Sequence, residues 1–213
     1  MQSIVKDIKS VAKRDVFEYP VMESFYTIQG EGKYQGHAAY FIRLGGCDVG
    51  CHWCDVKESW NASDHPKKEI AVLVDEVIES GANRVIITGG EPLMHNLDTL
   101  TRLLREKGIK THIETSGTHP LSGEWDWITF SPKKFKKPTE EIFQVANELK
   151  IIVFHPSDIQ WAVELSARVA PGCQNLLQPE WERQDDVLPI IMAHLTQNPT
   201  WRLSLQTHKF IGV

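Results

Sequence analysis

Residues 38–55 read AAYFIRLGGCDVGCHWCD. The first seven, Ala38 to Leu44, are apolar and β-prone and predict a strand. The rest is a loop in which Cys47, Cys51 and Cys54 stand in a Cys-x3-Cys-x2-Cys arrangement. Gly45, Gly46 and Gly50 let its backbone wrap closely where side chains would clash. Three thiolates on one tight loop can grip three corners of a cubic iron–sulfur cluster, whereas a fully protein-ligated cluster uses four. The remaining cysteine, Cys173, is far along the chain. One iron then keeps an open coordination position for a substrate or cofactor. Structural zinc is the competing reading, but His52 lies between two of the thiols and is poorly placed as a fourth ligand.

Working outward, strand-like and helix-like stretches alternate, the pattern of βα units around a parallel sheet. Glu69 to Ser80 places Ile70, Leu73, Val74, Val77 and Ile78 on one helical face, and Gly81 follows as a stop signal. Arg84 to Thr88 reads as a short buried strand running into Gly-Gly-Glu-Pro. Leu97, Leu100 and Leu104 mark a second amphipathic helix ending at Gly108. Further strands are predicted at Ile109 to Glu114, Trp127 to Ser131, Lys150 to Phe154, Leu176 to Gln178 and Arg202 to Gln206. Helices are predicted at Glu140 to Asn147, Asp158 to Arg168 and Asp186 to Gln197. No repeat and no Pro/Gly/Ser-rich linker divides the 213 residues, so one domain over 1–213 is expected. The length is short for a full eightfold barrel of ~250 residues. The expected fold is α/β, an open, partial (β/α) barrel of about six units.

Composition sets the boundaries of function. With 23 basic and 28 acidic side chains the formal net charge is -5. Such a chain is soluble but not built to coat nucleic acid or an anionic membrane. The basic run Lys133, Lys134, Lys136 and Lys137 reads as a solvated loop with Lys133 turned inward. No apolar run reaches the roughly 18 residues of a membrane helix. The charged start, MQSIVKDIKSVAKRD, lacks the apolar core of a secretory signal. Three cysteines within eight residues favour reduced, ligand-binding thiols and a cytoplasmic location.

The three-cysteine spacing after a first strand, with Trp53 just before the third cysteine, resembles the radical S-adenosylmethionine superfamily. Thr88-Gly89-Gly90-Glu91-Pro92, at the end of a predicted strand, is similar to its glycine-rich cofactor motif. The resemblance implies a 4Fe–4S cluster on Cys47, Cys51 and Cys54 whose open iron is chelated by S-adenosylmethionine, and reductive cleavage of that cofactor to a 5′-deoxyadenosyl radical. In the Gly-Gly-Glu-Pro segment, Gly90 exposes backbone and Glu91 is a candidate acceptor for the cofactor ammonium.

Within the superfamily, SFYTIQGEGKYQG at Ser24 to Gly36, followed by FIRLGGC, resembles the 7-carboxy-7-deazaguanine synthase family, and the likeness runs from Glu23 to His208-Lys209. It implies ring contraction of 6-carboxy-5,6,7,8-tetrahydropterin with loss of ammonia, in queuosine or deazapurine biosynthesis. It assigns Ile28, Gln29, Gly30, Arg43 and Thr88 to substrate, with Arg43 pairing its carboxylate. Trp53, Cys54, Asp55, Gly90, Ser131, Pro132, Lys133, Gln178 and Pro179 fall to S-adenosylmethionine. A flavodoxin- or ferredoxin-type reductant and a homodimer are implied as well. The family holds magnesium with a hydroxyl residue after its Cys-Asp pair. Here that position is Val56, which has no side-chain oxygen, so magnesium, if held, is expected on substrate, Asp55 and water. A terminal carboxylate at Val213 is a further candidate substrate contact. Two other classes remain open: a glycyl-radical activase, which acts on a protein, and a non-catalytic zinc module.

Overall fold

The computed structural model describes residues 17–212. The charged start of the chain and Val213, on which two expectations rest, lie outside them. Nine strands form one sheet: β1 Glu18–Ile28, β2 Ala38–Leu44, β3 Lys67–Glu69, β4 Arg84–Gly89, β5 Lys110–Thr115, β6 Trp127–Phe130, β7 Glu148–Val153, β8 Gln174–Pro179 and β9 Trp201–Leu203. Their order is β3-β1-β2-β4-β5-β6-β7-β8-β9, and the sheet is not closed. From β2 to β9 every neighbour is parallel. That run has six crossovers, as the sequence pattern implies, while β1 pairs antiparallel with both β2 and β3.

The helices are α1 Ile70–Glu79, α2 Asp98–Glu106, α3 Ile142–Val145, α4 Ser157–Ser166, α5 Gln184–Gln197 and α6 Thr207–Ile211. In α1 the residues Ile70, Leu73, Val74 and Val77 are buried, but Ile78 is exposed, one step round the helix from the apolar stripe. Gly81 and Gly108 take positive φ just beyond α1 and α2 and turn the chain back to the sheet.

Several expectations change. The helix predicted over Glu140 to Asn147 shrinks to the four residues of α3, and β7 begins at Glu148, so its C-terminal part becomes approach to a strand. The last strand stops at Leu203, and residues after it enter α6. The 11-residue β1, which carries Ser24 to Ile28, has no counterpart in the sequence pattern, because its burial alternates weakly along an outer strand.

Apolar residues of the sheet and helices form one core, including Ile42, Leu44, Ile87, Leu104, Phe130 and Leu149. Phe130 is fully buried, its ring 5.0 Å from that of Phe143 at 81°. Phe130→Ala should lower stability by about 3–5 kcal/mol, read from denaturant unfolding, because a ring-sized cavity cannot collapse between sheet and helix.

Candidate active site

The parallel strands deliver their following loops to one edge of the sheet, where ligands bind in open α/β folds. After β2 comes the cysteine loop, after β4 Gly90-Glu91, and after β6 Ser131-Pro132-Lys133. Backbone contact locks the first two together. Gly90 N donates to Leu44 O at 3.0 Å and Glu91 N to Gly46 O at 2.8 Å. A Cβ on Gly90 would stand 2.2 Å from Gly46 O and 2.7 Å from Cys47 Cβ. On the other flank Gly46 N donates to Ser59 O and Cys47 N to Trp60 O.

These loops open on a cavity of 380 Å³. Cys47, Cys51 and Cys54 line it with Ile28, Gln29, Gly30, Arg43, Trp53, Asp55, Thr88, Gly90, Glu91, Ser131, Lys133, Gln178 and Pro179. Of the residues expected from sequence only Pro132 does not; it is buried between Ser131 and Lys133 and shapes their turn. Lys133 folds back to donate to Ser131 O at 2.6 Å, 5.8 Å from the Trp53 ring.

The thiols fit a cluster better than a single ion. Sulfurs on one tetrahedral zinc lie about 3.8 Å apart. Among the described residues the three thiols do not all lie within 4.8 Å of one another. His52 packs against Phe135 and Phe154 instead of turning to the thiols. Burial pushes the Cys51 thiol up to about 11, opposed by the charge of Lys133, so ionised sulfur here needs a cation such as iron to offset it.

Glu91 corrects the expectation made for it. Its carboxylate is 1% exposed. Oε1 accepts from Leu93 N at 3.1 Å and Thr115 Oγ1 at 2.6 Å, and Oε2 accepts from Ser116 N at 2.8 Å and from Ser116 Oγ. Four donors fill the acceptor positions of a carboxylate. Its side chain holds the loop and has none left for a cofactor ammonium.

Arg43 and Thr88 are register partners on β2 and β4. Arg43 Nε donates to Glu23 Oε1 at 2.6 Å. Among the described residues Nη1 and Nη2 have no partner, which leaves a forked edge for an anion. The stacked rings of Phe25 and Phe41, 5.5 Å apart at 10°, line the same wall.

The same cavity holds a charged group that sequence reading overlooked. Lys150, 5% exposed in its side chain, donates to Glu31 at 2.5 Å and Glu114 at 2.9 Å. Glu31 also accepts from Gln206 at 3.0 Å, and Glu114 from Gln29 at 3.3 Å. His112 is buried on Thr129 rather than in the cavity, and its pKa is well below the ordinary value through burial and the nearby Lys150 and Arg84. Burial and the neighbouring Glu31 and Glu148 raise Glu114 to about 7, against the pull of Lys150. The signal for this group was a lysine inside the apolar run ELKIIV of a parallel strand, which has no solvated face to hold it.

The tail completes the chamber. Thr207 N and Oγ1 donate to Gly30 O at 3.0 and 2.9 Å, and His208 lines the cavity. Asp55 Oδ2 accepts from Lys209 Nζ at 2.9 Å and from Gln206 Nε2 at 3.2 Å. This donor set does not fit magnesium. Val56, in the cavity wall, brings no oxygen, and the one carboxylate here, Asp55, already carries an ammonium on Oδ2.

A thiolate trio at the mouth of an open parallel α/β barrel defines a radical S-adenosylmethionine enzyme, and the Radical SAM superfamily model matches residues 41–137. The chain is 48% identical over 194 residues to 7-carboxy-7-deazaguanine synthase of Flavobacterium psychrophilum, covering 91% of this chain and 92% of that one. To the synthase of Synechocystis it is 47% identical over 195 residues, covering 92% and 93%. The crystal structure of QueE from Escherichia coli superposes with a TM-score of 0.77 at 34% identity, over 88% of this chain and 93% of that one. The chain belongs to the 7-carboxy-7-deazaguanine synthase family.

For Glu114 the folded value lies above the ordinary carboxyl value of 4.5. Its contribution to stability is therefore full below about 4.5 and is lost as pH rises to about 7. Glu114→Gln should remove that part of the decline, measured as the difference between wild-type and variant unfolding curves across the window.

Proposed function

We propose that the cavity binds 6-carboxy-5,6,7,8-tetrahydropterin beside S-adenosylmethionine and contracts its ring to 7-carboxy-7-deazaguanine with release of ammonia. The observation that carries the reading is the shared chamber: the thiol trio opens on the same space as Arg43, Thr88 and the Glu31–Lys150–Glu114 group. When bound, the cluster and S-adenosylmethionine supply hydrogen-atom abstraction at a substrate carbon.

The chain's own residues do the rest. Arg43, braced by Glu23, meets the substrate carboxylate with its free fork, and Thr88 beside it offers a hydroxyl. Ile28, Gln29 and Gly30 border the pterin end, where Glu31 and Glu114 present carboxylates to the amino groups of the substrate. A carboxyl near neutrality at Glu114 can hold or release a proton as ammonia leaves. Phe25 and Phe41 offer apolar faces, and the tail excludes water. Trp53, Cys54, Asp55, Gly90, Ser131, Lys133, Gln178 and Pro179 border S-adenosylmethionine, with Pro132 fixing their turn; Glu91 anchors the loop.

Family resemblance supports the finer context: a flavodoxin- or ferredoxin-type electron donor, a homodimer and a cytoplasmic setting. Among the described residues no helix is long and apolar enough to cross a membrane. A glycyl-radical activase would need to admit a protein segment, and the tail over the mouth favours a small substrate.

Anaerobic reconstitution with iron and sulfide, then dithionite, S-adenosylmethionine and the tetrahydropterin, should yield 7-carboxy-7-deazaguanine by mass spectrometry. Cys51→Ala should abolish both product and the cluster's visible absorption. Arg43→Lys should raise KM by about tenfold with a smaller effect on kcat, since a point charge cannot replace a bidentate fork. Formation of 5′-deoxyadenosine without the deazaguanine would refute the substrate assignment.

A further inference from the structure

We propose that the Lys209 ammonium takes the place of a divalent cation at Asp55, so that this enzyme works without magnesium. The proposal rests on the ring-contraction reading of the cavity and concerns the cation at its mouth.

Magnesium binds through oxygen, near-octahedrally at about 2.1 Å, and retains several waters. Asp55 is followed by Val56, so the pair offers a single carboxylate. On that carboxylate Oδ2 already receives Lys209 Nζ at 2.9 Å and Gln206 Nε2 at 3.2 Å. A doubly charged ion on the same group would face the ammonium at close range or have to expel it.

Lys209 is built into this position from several sides. Its Nζ lies 5.1 Å from the centre of the Trp181 ring, a cation over an aromatic face. Phe210 packs edge-on against that ring at 5.1 Å. Gln206 reaches Glu31 Oε1 with the same amide that touches Asp55, and Thr207 is fixed to Gly30 O. One ammonium thus joins the tail to the cysteine loop and to the segment after β8, with positive charge beside Asp55 at the cavity wall. Lys209 does not itself line the cavity. It is a positioning residue, acting through Asp55 and Trp181, which do.

The test uses the reconstituted holoenzyme, stripped of divalent ions by EDTA with the cluster absorption checked. Product formation in EDTA and in added magnesium should agree within about twofold. Manganese added as a paramagnetic probe should stay free, with the full spectrum of the hydrated ion. Lys209→Met should lower kcat/KM by about tenfold or more at unchanged cluster content, and magnesium should not rescue it. Lys209→Arg, which keeps the charge, should recover most of the loss, as a purely packing role would not require. Activity lost in EDTA and restored by magnesium would overturn the proposal. So would one manganese retained per wild-type chain, or wild-type turnover by Lys209→Met. If no deazaguanine forms under any condition, the ring-contraction reading fails, while the manganese spectrum still decides the cation: free ion supports the proposal and retained ion refutes it.

Discussion

The active site depends on a backbone contact between two loops. The turn after β4 lies so close to the end of β2 that Gly90 has no room for a Cβ against Gly46 and Cys47. Gly89, at φ 141°, is equally confined: its Cβ would fall 2.1 Å from Leu44 O. This approach sets where the cysteine loop leaves the sheet, and so where a cluster would sit relative to Arg43 and Thr88. Glu91 secures the arrangement from below by tying the turn to Thr115 and Ser116 at the end of β5. Three successive parallel strands are thereby joined under the thiols, and the glycine motif is first a packing device.

Part of the chamber wall is held by charge. Lys150 is buried between Glu31 and Glu114, and the opposed burial penalty is overcome by the two carboxylates, which keep the amine's pKa above its usual value. Glu148, on the same strand, accepts from Lys33 N at 2.9 Å and Thr129 Oγ1 at 2.8 Å. Removing one member of such a group leaves a buried charge uncompensated, which costs more than the pair contributes when intact. The network therefore resists drift and keeps polar groups aimed into the chamber. The lysine-rich loop does similar work outside: Lys134 pairs with Asp158, and Lys136 with Asp48 of the cysteine loop.

Much of this was legible in the residues. The strand Ala38–Leu44 has the bounds that its apolar run implies, and the thiol spacing located the chamber. Local signals succeed where periodicity or a compact motif controls the outcome. They failed for β1, which is outer and only half-buried, and for α3, where the chain between β6 and β7 makes a single turn. Glu91 was misread because its saturating donors, Thr115 and Ser116, lie more than 20 residues away. Lys150 and the tail contacts were missed for the same reason: Lys150 meets Glu31 at a separation of 119 residues, and Thr207 meets Gly30 at 177. Such partners appear only when the sheet brings its ends together.

That last contact bears on how the protein is made. The wall that Gly30 begins is finished by α6, 177 residues further on, so the chamber is incomplete until that helix has been made and has docked. A nascent chain can pair its early strands and present the three thiols, but with the mouth uncovered. Contacts of such high sequence separation form late in folding. The thiols can thus be in place before the last wall of the chamber is. Docking of α6 becomes the event that encloses the chemistry.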